Sequence, residues 1–511
     1  MAEVSRTARV IQNAKVALFF YCINLILQFF SRKIFLDYLG AELLGLNTTA
    51  QNLLQFLNLA ESGIGAAVAF ALYKPLSQKN RQEIIDIVSL QGWFYRWVGL
   101  FVIAGSIVLM AFFPWIFAKA DVPLVYAYGT FIAFLISALL GYFVNYKMIV
   151  LSADQKEYKI TIETQSIKVI KVLIQMLAIW KLPHGYVWWM VLEVLAAIST
   201  SIRLHYCVKK EYPWLCPDLL NGKQLKERYP FLLVKTKQLF FHKVGGYVLT
   251  QTTPLLIYLF TSLTVVAIYG NYLVLITGCF LLVDALSRGL GASVGNLVAE
   301  GDSEKILRTF WEILTVRLIL ATWICTGFFY LSDEFIELWI GKDYLLKKDS
   351  LIVLTLIFFI QMSRSCDLFL SAYGLFKDIW APLVESILSL TFSILLGYFY
   401  DLTGILIGVL VSQLTIVCCW KPYFLYKDAF HVSFGDYLSR YLKKIFLLVL
   451  ALFVSNQIMH HLPNFDILDF IDWIEYSMLV MIVNCCASCV IFYFMDRSFK
   501  SLMRKFYTMI Q

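Results

Sequence analysis

A set of ionisable side chains falls inside long apolar runs: Arg32, Lys33, Asp37, Glu61, Arg96, Lys168, Lys171, Glu193, Asp284, Arg288, Arg317, Arg364, Asp367 and Glu385. An ionised group at the centre of a bilayer is costly unless it faces protein or water, so each is a candidate functional group. The sign of the set is informative. Arginine and lysine predominate, and Arg32, Arg96, Lys168 and Arg288 are poorly compensated in the sequence around them. A transported cation calls for a carboxylate-rich interior. An excess of guanidinium suits an anionic ligand instead, because arginine stays charged and grips oxyanions with a two-pronged fork. We therefore assign Arg32, Arg288, Arg96, Arg364 and Lys33 to substrate binding. Glu61, Asp284, Asp37, Glu193 and Lys171 are assigned to coupling or charge pairing.

Purely structural roles compete with these assignments. Asp284/Arg288 and Lys33/Asp37 are spaced i,i+4 and Arg364/Asp367 i,i+3, the spacing of neutralised pairs on one helix face. Lys171 and Glu193 fall at similar depth on consecutive runs and are expected to pair. Arg317 and Glu385 lie near one membrane surface, where a long side chain snorkels. Arg96 lies beside Trp93 and Trp97, the setting of a cation–π contact. Gly63, Gly65, Gly289 and Gly291 permit close helix approach, either at a moving gate or in static packing. No metal or cofactor is expected. The cysteine cluster Cys485, Cys486 and Cys489 sits mid-run without a nearby histidine, and no phosphate-binding P-loop occurs.

The elements that must carry these groups are membrane spans. The chain is 60% hydrophobic and 15% charged, against about a quarter charged in soluble domains. About fourteen apolar runs can be drawn, among them 14–38, 43–72, 379–400 and 404–425. With the amino terminus inside, the inner connections hold most of the lysines and arginines, and the outer ones only Lys119, Lys181, Lys342, Lys347 and Lys348. The net charge of +8 is thus a topology signal that places both termini in the cytoplasm, and nucleic acid is not an expected partner. Ser62–Val68 reads S-G-I-G-A-A-V and Arg288–Val294 reads R-G-L-G-A-S-V, at the ends of corresponding runs. This points to two related halves, as in many transporters. The expected organisation is an N-terminal six-helix bundle (1–207), a cytoplasmic linker (208–237), a C-terminal six-helix bundle (238–425) and two additional helices with a tail (426–511). Residues Leu219 to Phe240 read as a short amphipathic helix on the inner leaflet.

The segments Arg32…Tyr38-Leu39-Gly40-Ala41-Glu42-Leu43-Leu44-Gly45-Leu46, Glu61-Ser62-Gly63-Ile64-Gly65 and Ser287…Ala299-Glu300-Gly301-Asp302, together with the span count, carry a resemblance. The chain resembles polysaccharide flippases of the multidrug/oligosaccharidyl-lipid/polysaccharide superfamily, near the O-antigen and capsule repeat-unit flippases. The resemblance implies an all-α fold of two pseudo-symmetric bundles in a V around a cationic cavity. It implies alternating access that carries an undecaprenyl-pyrophosphate-linked oligosaccharide from the inner to the outer leaflet of a bacterial inner membrane. The chain would act as a monomer, beside a polysaccharide polymerase and glycosyltransferases. In related lipid II flippases, first-span arginines line the cavity, and Arg32 matches that role by position; many relatives carry Asp where this chain has Glu61. Two other classes remain open: a multidrug or cation antiporter of the same superfamily, and a membrane polysaccharide polymerase or transferase.

Overall fold

The computed structural model describes residues 6–287, 290–375, 378, 380–461 and 467–510. These are helical almost throughout, with no strand among the described residues. Hydrocarbon offers no partners for backbone amides, so a spanning segment must satisfy them within itself, as a helix does. Ten helices among the described residues are long and apolar enough to cross a membrane. The protein is an all-α, multi-pass membrane protein.

Two of those apolar stretches, Gln12–Glu61 and Trp380–Phe430, contain 50 and 51 residues. Straight helices of that length would run about 75 Å at about 1.5 Å per residue, against about 30 Å of hydrocarbon. Each has room for two crossings, and each is interrupted near its middle. Helix α1 (Arg6–Asn58) breaks at Gly40, whose φ of 81° and ψ of 172° suit a residue without a side chain. The helix Trp380–Gln413 breaks at Tyr400 and at Asp401, which has a φ of 50°. The expected separate runs on either side of residues 40 and 400 are therefore distinct helices that meet at a tight break; across Tyr400–Asp401 the second packs back on the first, with Ser393 Oγ donating to the Ile405 carbonyl at 2.8 Å.

The chain divides into two compact units, Met1–Ala267 and Ile268–Gln511. In the first unit α1 is followed by α2 (Ile64–Ser77), α3 (Arg81–Ala111), α4 (Leu124–Phe143), α5 (Glu157–Lys181), α6 (Gly185–Glu211) and α7 (Pro230–Phe260). Helix α5 packs on both α6 and α1, and α4 packs on α6, α1 and α3. Side-chain-free positions set the closest approaches. A Cβ on Gly45 would lie 1.9 Å from the Leu263 carbonyl oxygen.

The polar stretch after α6 is docked on α3. A Cβ on Gly222 would lie 2.1 Å from the Trp93 ring, and one on Gly92 would lie 2.4 Å from Leu219. Arg228 pairs with Asp86 at 2.9 Å, and the Asp218 amide donates to Ser89 Oγ at 2.9 Å. Where the sequence predicts one helix over 219–240, the structure ends a short helix, Gly222–Arg228, at Tyr229 and starts α7 at Pro230. Proline disfavours helical backbone in the residue before it, and its missing N–H is harmless at a helix start.

The second unit contains α8 (Leu263–Ser287, begun in the first unit), α9 (Leu290–Glu300), α10 (Ser303–Ile340), α11 (Lys348–Ser363), α12 (Trp380–Gln413), α13 (Phe434–His460), α14 (Phe470–Met495) and α15 (Arg497–Ile510). Helix α10 packs against α11 and α14, and α13 against α14. Phe310, Trp311, Phe369, Tyr426 and Tyr437 join in one aromatic core. Lys444 is only 3% exposed. Its ammonium donates to Asp496 at 2.6 Å and to Thr315 at 2.7 Å.

Candidate functional site

A polar cavity of about 350 Å³ opens inside the first unit. Four pairs of residues four apart line it: Gln28 and Arg32, Asn47 and Gln51, Lys171 and Gln175, Trp189 and Glu193. On a helix this spacing puts both members on one face. The first two pairs come from the two halves of α1 on either side of Gly40, the third from α5 and the fourth from α6. The break at Gly40 thus lets two successive helical segments present polar faces to one space.

Lys171 Nζ donates to both oxygens of Glu193 at 2.8 Å, the pairing expected from depth. Gln175 Nε2 reinforces it, 3.2 Å from Glu193 Oε2 and 3.1 Å from the Trp189 carbonyl. Arg32 is half-buried, and its Nη2 lies 3.3 Å from the Ala267 carbonyl oxygen. Trp189 is held by stacking on Tyr186 at 5.7 Å and by the edges of Phe35 at 6.1 Å and Phe134 at 5.9 Å. Tyr186 in turn donates to Asn47 Oδ1 at 2.7 Å. The ionisable groups lining the cavity are two cations, Arg32 and Lys171, and one carboxylate, Glu193. With Glu193 neutralised by Lys171, the site has a net positive charge, a wall of amides and a fixed aromatic ring. It suits an oxyanion attached to a hydroxyl-rich group.

One end of this unit is tied by an ionic network. Arg9 pairs with Asp154 at 3.1 Å, Lys156 lies 2.8 Å from Asp154 and 3.1 Å from Glu211, and Tyr212 donates to Asp154 at 2.7 Å. Asn13 completes it by accepting from the Tyr158 amide at 2.8 Å and donating to the Gln155 carbonyl at 3.1 Å. Burial alone would raise the Asp154 carboxyl. Hydrogen bonds from Lys156 and Tyr212, with the charges of Lys156 and Arg9, outweigh that and hold it below the usual carboxylate value. The network fixes the start of α1 against α5 and α6, the helices that carry the cavity.

The second unit holds a separate charged cluster. Helix α11 ends at Ser363, and a short helix, Cys366–Ala372, begins after the break at Arg364 and Ser365. Arg364 Nε lies 3.3 Å from Asp367 Oδ2, Lys421 binds the other Asp367 oxygen, and Arg317 donates to the Arg364 carbonyl. Glu385 is 4% exposed and faces Arg364 and Lys421. The sequence expects Arg317 and Glu385 to snorkel; in the structure Arg317 bonds the Arg364 carbonyl and Glu385 is buried beside Arg364 and Lys421. A distinct apolar cavity of about 430 Å³ is lined by Thr322, Phe329, Leu356, Phe359, Val449, Leu452, Tyr476 and neighbours on α10, α11, α13 and α14.

Of the residues assigned from sequence, Arg32, Lys171 and Glu193 meet in the first cavity. Lys33 and Asp37 form an exposed pair at 3.7 Å on another face of α1. Arg96 is exposed on α3, and its flanking tryptophans contact each other at 6.2 Å. Arg364 belongs to the second unit's cluster. Glu61 follows α1, with the Tyr95 hydroxyl 2.6 Å from its carboxyl. Gly63 starts α2 with a φ of 100°, Gly65 lies beside Tyr95, and a Cβ on Gly291 would meet only Leu368, at 3.9 Å. Arg288, Gly289 and the side chain of Asp284 lie outside the described residues. Gln28, Asn47, Gln51, Gln175 and Trp189 were not singled out in the sequence. Their four-residue spacing from one another or from a charged partner was the signal that could have found them.

No family model matches the sequence, and no curated protein matches it. Solved structures do share the fold. A lipid II flippase, MurJ, in an inward closed conformation superposes with a TM-score of 0.65 at 16% identity, covering 94% of this chain and 99% of that one. An inward-facing multidrug resistance MATE family transporter of the MOP superfamily gives 0.59 at 12% identity, covering 82% and 99%. At such identities the likeness establishes a common fold, and the chemistry must be argued from this chain's own residues.

Proposed function

We propose that the chain is a flippase that carries an undecaprenyl-pyrophosphate-linked polysaccharide repeat unit from the inner to the outer leaflet by alternating access. The observation that carries this reading is the net positive, amide-lined cavity holding Arg32, Lys171 and Glu193. In this reading Arg32 holds the pyrophosphate by its fork. Lys171 exchanges part of its bond to Glu193 for the incoming anion. The amides of Gln28, Gln51 and Gln175 meet sugar hydroxyls. Arg288 is proposed as a second pyrophosphate ligand from sequence alone. The basic-residue asymmetry places both termini in the cytoplasm, and a polymerase and glycosyltransferases would act before and after the flip.

The likeness to a multidrug transporter favours a second reading, export of a cationic drug. The cavity weighs against it, because its one carboxylate is already neutralised by Lys171. The deciding experiment uses proteoliposomes loaded with an undecaprenyl-pyrophosphate-linked oligosaccharide on one leaflet. Translocation is read from the sugar's accessibility to a lectin on the other side. Transport by the wild-type chain and its loss in Arg32→Ala are expected. Absence of flipping together with efflux of a cationic dye would favour the antiporter.

A further inference from the structure

The break between α1 and α2 holds a group that the transport reading leaves unused. Glu61 ends the short 3-10 turn Leu59–Glu61, and Gly63, with a φ of 100°, opens α2. The Tyr95 hydroxyl donates to Glu61 Oε1 at 2.6 Å. The other described carboxylates assigned to spans have basic company: Asp37 has Lys33, Glu193 has Lys171, Asp367 has Arg364 and Lys421, and Glu385 faces Arg364 and Lys421. No basic side chain among the described residues makes an ion pair with Glu61.

A second observation points into the same place. Gln91, one turn before Tyr95 on α3, is 1% exposed, and its side chain is within hydrogen-bonding reach of Tyr95. Its carbonyl oxygen Oε1 is buried and has no hydrogen-bond partner. A buried acceptor left bare is destabilising, and so is a carboxylate within a span that no cation meets. Nearby, Asn58 Oδ1 accepts from Tyr142 at 2.9 Å, and the Tyr142 ring packs edge-on to Tyr95 at 5.5 Å. All these donors are oxygens, one of them charged. They stand at an interruption between helices, where terminal carbonyls lack intrahelical partners. Hard cations choose oxygen donors, and unwound helix segments are where transporters coordinate sodium.

We propose that Glu61, Gln91 and Asn58 form a binding site for a sodium ion at the break between α1 and α2. Sodium there neutralises Glu61 and satisfies the Gln91 carbonyl together, while Tyr95 orients the carboxylate from its other oxygen. The site stands whether or not the transported species is a lipid-linked saccharide.

The test is equilibrium binding of radioactive sodium to the purified full-length chain in detergent near neutral pH, with choline as the balancing cation. Wild type is expected to bind saturably, one ion per chain, and to gain melting temperature with sodium but not with choline. Glu61→Gln is expected to abolish binding. Gln91→Leu, which leaves the charge in place, should weaken it by at least about tenfold, because one ligand of roughly 1.5 kcal/mol is lost. Tyr95→Phe should retain binding. Absence of both saturable binding and sodium-specific stabilisation in the wild type would overturn the proposal. So would unchanged affinity in a Gln91→Leu protein of normal melting temperature. An infrared signature of a protonated Glu61 carboxyl, indifferent to sodium and absent from Glu61→Gln, would replace the ion with a proton and refute the site as stated.

Discussion

The pair Lys171–Glu193 shows why single side chains matter in this molecule. Both are more than four-fifths buried, with side chains 18% and 15% exposed, so neither charge is well solvated alone. Removing one partner strands the other, at a cost of about 3–5 kcal/mol. Lys171→Met should therefore lower the melting temperature strongly, and Lys171→Met/Glu193→Gln should recover most of the loss. A double variant no more stable than the single one would show that the pair is not a unit. At Asp154 the folded pKa is lowered by its partners. The stability it supplies is present above the unfolded value, about 3.9, and is lost as pH falls through the lowered folded value. Between about pH 6 and about pH 3, wild type should lose more melting temperature than Asp154→Asn; equal losses would exclude this contribution. The Lys171–Glu193 and Lys33–Asp37 pairs were legible in the sequence because helical spacing and depth dictate them. The ties of Arg317 to Arg364 and of Lys421 to Asp367 were not. They join helices far apart in the chain, and apolar patterning says nothing of which faces meet.

At the scale of elements, interruptions do most of the positioning. Gly40 turns one helix into two halves whose polar faces share a cavity, and the Arg364–Ser365 break exposes backbone to Arg317. The sequence marked the apolar runs but not how tightly they join, since a one- or two-residue break and a short loop leave the same trace in hydropathy. Close approach is similarly hidden. Across the Tyr400–Asp401 bend, a Cβ on Gly408 would fall 2.2 Å from the Ser393 backbone nitrogen, whereas one on Gly291 would meet only Leu368 at 3.9 Å. Gly408→Ala must push two helices apart and should destabilise by about 1–3 kcal/mol or more, read as lost folded protein in detergent. Gly291→Ala should be tolerated. If both behave alike, the bend is looser than its geometry indicates. Gly222→Ala, which drives a Cβ into Trp93, should likewise free the polar stretch after α6 from α3, detected as faster proteolysis between α6 and α7.

For the whole molecule, long unbroken apolar runs dictated a helical membrane protein, because such a run crosses lipid as a helix that satisfies its polar backbone groups internally. The fold shared with the two solved transporters was legible through a few loose segments around Arg32, Glu61 and Ser287. The cavity itself was half legible. Its charges stood out against the apolar background, while its amides at Gln28, Asn47, Gln51 and Gln175 resembled ordinary helix polar residues. The central claim is that this cavity recognises an anionic, phosphate-bearing headgroup through Arg32. The most direct measurement is the equilibrium affinity of the purified chain for undecaprenyl pyrophosphate, compared among wild type, Arg32→Lys and Arg32→Ala of equal melting temperature. The account predicts at least about a tenfold loss for Arg32→Ala, about 1.4 kcal/mol, and a smaller loss for Arg32→Lys, which keeps the charge but not the fork. Unchanged affinity in a folded Arg32→Ala protein would contradict it.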